Sequence, residues 1–361
     1  MQAFTLMAHL ARVPGTHVAA VLLNDGALAA KLRSAGIEVH IIDEQQTGSA
    51  GILLRLRRVL KDWRPDVVHT HRVKENILGA VANWLGPNVP CVRTTHGGNE
   101  RRLGWGARSI VNRATFEFDQ WSGRVLQQRV VAVSEPLGRN LASKFGADKV
   151  IVIENGIDAA ALRSEQGVAE FRAAAPDVAH IGIIGRLVAV KRVDLFIGMA
   201  ALLKGVREGQ KWRFHVFGDG PLRPSLEALA LRQRVANDVR FHGHREDIAT
   251  CMGGLDVLVN CSDHEGMPMT ALEASALGVP LVAHAVGGLT DVAPQEFLVL
   301  RHDSAGYSEG VLRALRGDAR SIAKEKAVSV LEMYSADRNA HRIRRLYEQL
   351  LGEAIAQENN R

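Results

Sequence analysis

Two glutamates eight positions apart, Glu265 and Glu273, stand in the segment HEGMPMTALE, the first beside Gly266 and the second inside a helical pattern. An apolar strand pattern from Leu255 to Ser262 precedes them, and the helical pattern stops at Gly278 with Pro280 beyond, the usual residues at a helix end. Pro268 is expected as an early helical residue, where its missing N–H costs nothing. In such a strand–turn–helix the amides around Gly266 to Thr270 are expected to point at whatever occupies the crevice, where a helix N-terminus favours an anion such as phosphate. Carboxylates at 265 and 273 accept hydrogen bonds from hydroxyls. A ligand with phosphates and many hydroxyls, such as a sugar nucleotide, suits this pattern, although glutamates at this spacing are also common on solvated helix faces.

Anionic ligands call for cations. In GRLVAVKRVDLFI a strand pattern ends at Gly185 and a helix pattern starts near Val193, and between them Arg186 offers a planar fork and Lys191 a mobile point charge. Gly218 and Gly220, in a GDGP segment after another strand, are turn formers first. Gly243, His244 and Arg245 follow a further strand pattern, VRFHG. In the first half His96 closes VRTTHGGNE at a strand end, where a neutral imidazole can bond a hydroxyl or phosphate oxygen and respond to developing charge, and Gly97 and Gly98 leave room for a ligand. His69 and His71 sit at i and i+2 on a strand without a third ligand nearby, which favours packing or hydrogen bonding over metal.

The elements that must position these residues alternate between strand and helix patterns, as in an α/β protein with parallel sheets. The strands are predicted at His17 to Leu23, Glu38 to Ile42, Asp66 to His69, Cys91 to Thr95, Val130 to Val133 and Ile151 to Glu154 in the first half. In the second half they are predicted at Ala179 to Ile184, Arg213 to Phe217, Val239 to His242, Leu255 to Val259, Pro280 to His284 and Glu296 to Leu300. Two Rossmann-like domains facing a cleft follow, over residues 1–160 and 161–336, with Asn155 to Val178 as the linker and 337–361 as a helix crossing back to the first domain. Gly51 to Trp63 is a basic helix with an apolar stripe of Leu53, Leu56, Leu60 and Trp63, expected to pack on a sheet.

Together the segments around Glu265, Arg186, Phe217 and His96 resemble the family 4 glycosyltransferases, which carry the E-x7-E motif and the GT-B fold. The resemblance covers nearly the whole chain and implies a retaining, metal-independent transfer of a sugar from a nucleoside diphosphate sugar to a hydroxyl acceptor, a glycan or lipid-linked intermediate. It implies Arg186, Lys191, Gly266, Met267 and Pro268 at the donor diphosphate, Glu265 at the sugar hydroxyls, Glu273 at the ribose, and His96 at the reacting centre. Gly218, Gly243, His244 and Arg245 would border the base. No cofactor is implied, and the chain has no Asp-x-Asp triplet of the kind that holds metal in the other major glycosyltransferase fold. Asn99 to Arg113, with Arg101, Arg102, Arg108 and Trp105, would form an acceptor mouth or a solvated loop.

Three departures accompany the resemblance. Arg192 stands where many members have glycine, so the backbone there is expected to avoid positive φ. Glu154 replaces the proline of the family's P-N-G-hydrophobic-D segment. The chain also opens inside the first helix, so the first strand and its glycine-rich loop are expected to be missing, and a non-catalytic nucleotide-binding or partner protein stays open as an alternative. A sugar-nucleotide hydrolase is a near neighbour, whereas a Rossmann oxidoreductase lacks its GxGxxG turn.

Bulk properties agree with a folded two-domain chain: 361 residues, 47% hydrophobic and 23% charged. The net charge of +6 is uneven, with 20 Lys+Arg against 12 Asp+Glu in residues 1–150 and 25 against 27 in the remainder. A basic first half attracts anionic lipid or a phosphorylated acceptor, and peripheral contact with an anionic membrane is the secondary expectation. Nucleic acid is not expected, because no binding module accompanies the charge and aromatics are only 5%. No signal peptide or membrane span is legible, and Cys91, Cys251 and Cys261 lack metal spacing, which suggests the cytoplasm, at the inner face of the membrane where the acceptor is a lipid.

Overall fold

The computed structural model describes residues 2–97, 107–165, 167–206 and 211–359. Among them are twelve strands: β1 Ala19–Leu22, β2 Glu38–Ile41, β3 Val68–His71, β4 Cys91–Thr95, β5 Arg129–Ala132, β6 Val150–Val152, β7 Ala179–Ile184, β8 Trp212–Phe217, β9 Val239–Gly243, β10 Val257–Asn260, β11 Leu281–His284 and β12 Leu298–Val299. Each predicted strand is found with its ends within two residues. All their pairings are parallel.

The chain divides into two compact units, residues 1–156 with 336–361, and residues 157–335. The second unit holds one six-stranded sheet in the order β12-β11-β10-β7-β8-β9. The chain lays down β7, β8 and β9 in one direction, then returns to place β10 on the other side of β7. That reversal opens a crevice at the carboxyl ends of β7 and β10, where loops can reach a ligand without breaking a ladder. The sheet is held by a core in which Ile181, Phe214 and Val257 are fully buried. Over it lies the helix Val193–Val206, which buries Phe196, Ile197, Met199, Ala200 and Leu203 because it packs both on the sheet and on the helix Ser304–Ala314. Burial of a phenylalanine of this kind stabilises by about 1.5–3 kcal/mol.

Three neighbouring strands of this sheet carry a chain of imidazoles. His215 Nε2 lies 2.8 Å from His180 Nδ1, and His242 Nε2 lies 2.8 Å from His215 Nδ1. His180 Nε2 donates to the Ala175 carbonyl at 2.8 Å, which fixes the neutral Nε2–H tautomer along the whole chain. Burial lowers His215 to about 2 and His242 to about 4.

Of residues 155–178, expected as a linker, the described residues from Ile157 onward belong to the second unit and include the helices Ala159–Ser164 and Glu170–Ala174. Asp158 caps the first by accepting from Ala161 N at 2.9 Å. Phe171 of the second packs its ring 4.2 Å from that of His215, and Arg172 Nη2 donates to Asp256 Oδ2 at 2.6 Å. Helices this short leave too few turns for a 3.6-residue pattern to show in the sequence.

The first unit contains a two-stranded sheet, β1-β2, and a four-stranded one, β3-β4-β5-β6. The basic helix Ser49–Trp63 packs as a sheet-covering helix, burying Ile52, Leu56 and Leu60 beside Leu23, Ile42 and Ala82, with Arg55, Arg58 and Lys61 exposed. The helix Ala336–Asn359 completes this unit, its Ile343, Leu346 and Leu350 buried with Leu6 and Leu10 of the helix Gln2–Leu10. Glu154 explains its own departure from proline: its carbonyl accepts from Asn339 Nδ2 at 2.5 Å and its carboxylate from Arg342 Nη1, so it ties that helix down. Among the described residues no helix is long and apolar enough to cross a membrane.

Candidate functional site

The crevice between β7 and β10 gathers the charged residues of the second unit. Lys191 Nζ donates to Glu265 Oε1 at 2.5 Å, and the same oxygen accepts from Ser262 Oγ at 2.7 Å and from Asn260 Nδ2 at 3.5 Å. The Glu265 side chain is thereby gripped by one cation and two neutral donors, with 11% of it exposed. Gly185, Lys191, Phe217, Asn260 and Ser262 line a small open cavity of about 10 Å³. Arg186 stands exposed just past Gly185, and its side chain makes no hydrogen bond or ion pair among the described residues.

The Gly266 turn is braced from the next crossover. Gly287 has φ +56°, and a Cβ on it would lie 1.9 Å from the Glu265 carbonyl oxygen, while Gly288 N donates to Gly266 O at 2.7 Å. Only glycine tolerates that approach. Met267 and Pro268 are buried, and Pro268 is extended at φ −71° and ψ 127°, immediately before the helix Met269–Ala276 rather than within it. Its carbonyl accepts from the amides of Ala271 and Leu272, so it serves as the cap. Glu273, 7% exposed, lies in that helix with no hydrogen-bond partner for its carboxylate among the described residues. Burial raises its pKa, and a carboxylate so placed gains from any hydroxyl that donates to it.

Gly218 sits at φ +124°, and a Cβ there would meet the Gly185 carbonyl oxygen at 2.0 Å. Its amide donates to Gly243 O at 2.7 Å, so Gly185, Gly218 and Gly243 come together at the ends of β7, β8 and β9. His244 and Arg245 follow exposed, with Arg245 forked onto Asp247 at 2.8 and 2.7 Å.

Arg192 overturns its expectation. It adopts φ 46° and ψ 45°, the left-handed conformation, between a 3-10 turn at Ala189–Lys191 and the helix Val193–Val206. The left-handed region costs a non-glycine residue about 1–2 kcal/mol. The guanidinium offsets this with a fork on Asp194, at 3.1 and 2.9 Å, and a third bond to Asp263 Oδ1 at 3.1 Å. Nothing in the sequence marks Asp263, whose partner lies 71 residues away. It also accepts from His302 Nε2 at 2.9 Å, and its amide donates to the Val190 carbonyl at 2.9 Å.

In the first unit His96 follows β4 and meets His71 at the end of β3, with Nε2 3.1 Å from His71 Nδ1. His69 stacks on His71 at 4.7 Å and bonds Tyr347 Oη at 2.6 Å and Thr94 Oγ1 at 2.7 Å, the hydrogen-bonding role the sequence favours. Burial, with Arg72 nearby, lowers His96 to about 4, and burial lowers His69 to about 3, so both are neutral imidazoles near neutral pH. Gly98 and Asn99 to Trp105, with Arg101 and Arg102, lie outside the described residues, as does the side chain of Arg108; Arg113 is exposed on the helix Ala107–Val125.

Two family models match the chain: Glycosyltransferase Family 4 over residues 3–161 and Glycosyl transferases group 1 over residues 178–317. A glycogen synthase from Mycobacterium tuberculosis is 29% identical over 251 residues, a match that takes in 66% of this chain but only 57% of that enzyme's length. A D-inositol 3-phosphate glycosyltransferase from Salinispora tropica is 26% identical, over 97% of this chain and 75% of its own. Among solved structures, Anabaena HepE in complex with UDP and glucose superposes with a TM-score of 0.80 at 19% identity, covering 96% of each chain. That coverage gives the GT-B fold and lends no support to an absent first strand and loop. With one model on each half and the fold between them in agreement, the chain belongs to the family 4 glycosyltransferases, the group 1 glycosyl transferases.

Proposed function

We propose that this chain transfers a sugar from a nucleoside diphosphate sugar to a hydroxyl acceptor, with retention of configuration and without a bound metal. The Lys191–Glu265 pair beside the Gly266 turn carries the reading. Departure of a nucleoside diphosphate leaves charge on its phosphates, which the Lys191 ammonium, the free Arg186 guanidinium and the amides around Gly266, Met267 and the residues after Pro268 would stabilise where it develops. When the donor draws Lys191 toward phosphate, Glu265 turns its carboxylate to sugar hydroxyls, still held by Ser262. Glu273 takes the ribose, Gly218, Gly243, His244 and Arg245 border the base, and neutral His96 serves the reacting centre. HepE, solved with UDP and glucose, supports uridine as the first base to test.

The acceptor in this reading is a glycan or lipid-linked intermediate met at an anionic membrane on the cytoplasmic side. Its support is the basic excess of residues 1–150 and an exposed apolar stripe on the helix Ala107–Val125, where Phe118 and Trp121 stack at 5.2 Å beside Val125.

A panel of UDP-, GDP- and ADP-sugars, read by thermal shift and nucleotide release with and without EDTA, tests the donor. The expected result is one preferred donor and EDTA-resistant release. No shift with any of them would sink the reading, and NMR of the product anomer decides retention. Sedimentation with phosphatidylglycerol against phosphatidylcholine vesicles tests the membrane, equal partitioning counting against it.

A further inference from the structure

Resting on that donor site, we infer that Arg192 and Asp263 are positioning residues that keep the two loops of the crevice in register when the donor opens the Lys191–Glu265 pair. Two adjacent cations of the loop after β7 face two acids of the loop after β10: Lys191 meets Glu265 at 2.5 Å and Arg192 meets Asp263 at 3.1 Å. The first rung contains the groups proposed to touch the donor, so binding must loosen it. The second is built to stay. Asp263 is fixed from three directions, by its amide on Val190 O, by Arg192 and by His302 Nε2. His302 is itself locked, bonding Tyr307 Oη at 2.8 Å and stacking on His284 at 3.8 Å, and His284 Nδ1 donates back to the Ser262 carbonyl at 2.9 Å. Ser262 is the residue whose hydroxyl holds Glu265.

The conformation of Arg192 argues that the contact is more than surface decoration. Glycine would occupy φ 46° without strain, whereas this chain keeps an arginine there and spends its whole fork on Asp194 and Asp263. Exposed ion pairs add little to stability, and Arg192, with 31% of its side chain exposed, is close to that case. Its effect is therefore expected in geometry rather than in melting temperature.

The test compares Arg192→Gly, Arg192→Lys, Asp263→Asn and the double variant Arg192→Gly/Asp263→Asn. Glycine suits the left-handed site, so Arg192→Gly is expected to melt close to the parent protein. Without nucleotide, amide exchange in residues 186–192 and 262–267 should accelerate in Arg192→Gly and Asp263→Asn, and the double variant should add nothing further. With the preferred donor sugar, kcat/KM should fall roughly ten- to a hundredfold, mainly through the donor KM, and Arg192→Lys should recover part of it. Unchanged amide exchange in both loops overturns the register role whatever the activity. Faster exchange with unaltered kcat and KM overturns its bearing on the reaction. If the parent protein binds none of the nucleotide sugars yet its variants loosen, the donor reading fails and the tie between the loops stands as a purely structural one.

Discussion

The carboxyl ends of β7 and β10 in the second unit flank a reversal of strand order, those of β3 and β4 in the first belong to consecutive neighbours, and the two places are furnished differently. The former present charge held in pairs, Lys191 with Glu265 and Arg192 with Asp263. The latter present stacked neutral imidazoles, His69, His71 and His96, whose desolvation and mutual repulsion, with Arg72 beside His71 and His96, keep protons off. Paired charges exchange partners readily when an anionic ligand arrives. Neutral imidazoles can hydrogen-bond without imposing a net field. On the function proposed above, the first set would hold a charged donor and the second would serve the reacting bond.

Breaking the charged region should cost most. Lys191→Met is expected to lower turnover roughly 10²–10³-fold with the preferred donor, as loss of one preorganised electrostatic donor does, with circular dichroism unchanged. Near-parental turnover would erase the contrast. Glu273→Gln should weaken donor affinity roughly ten- to a hundredfold in titration calorimetry. It should also raise the melting temperature of the free protein. A carboxyl whose folded pKa is raised contributes fully only below its unfolded value, and loses that contribution as pH rises, so at neutral pH the amide removes a cost.

On the imidazole side, His96→Ala is expected to cost about tenfold in turnover, the worth of one hydrogen bond. The parent rate should show no histidine limb above about pH 5, because His96 protonates only near 4. A limb near the ordinary histidine value of about 6.5 would assign it a charge role instead. The smallest effect on turnover is predicted at the second unit's own imidazole chain. His215 and His242, lowered to about 2 and about 4, take up protons in the unfolded chain before the folded one. Stability is then complete above about pH 6.5 and is lost as pH falls through that value toward about 4 for His242 and toward about 2 for His215. Melting curves against pH should show this drop, and His242→Gln should flatten it while leaving turnover near the parent value.

The strands and the anchor residues of the charged site were legible because each advertises itself locally. Apolar runs of strand length mark the twelve strands of the described residues, and Lys191, Glu265 and Gly218 stand in the loops that follow strands at the crevice. What was not legible depends on partners distant in sequence. Asp263 is an ordinary loop acid until Arg192 and His302 converge on it from 71 and 39 residues away. The left-handed Arg192 defied its residue type, and its guanidinium is taken up by Asp194 and by the distant Asp263. Glu154 looked like a lost proline, and its meaning lies in a helix that begins at Ala336.

That helix carries a consequence for how the protein is made. The first unit is assembled from both ends of the chain: His9 meets Asp337 across 328 residues, and Tyr347 reaches His69 across 278. During synthesis Ile157–Ser335 can complete its contacts as soon as it emerges, whereas the unit begun first must wait, with Leu6, Leu10, Val92 and Val131 uncovered, for Ile343, Leu346 and Leu350. The histidines around the proposed reacting centre are therefore among the last parts of the molecule to gain all their contacts, since Tyr347 bonds His69 from that final helix.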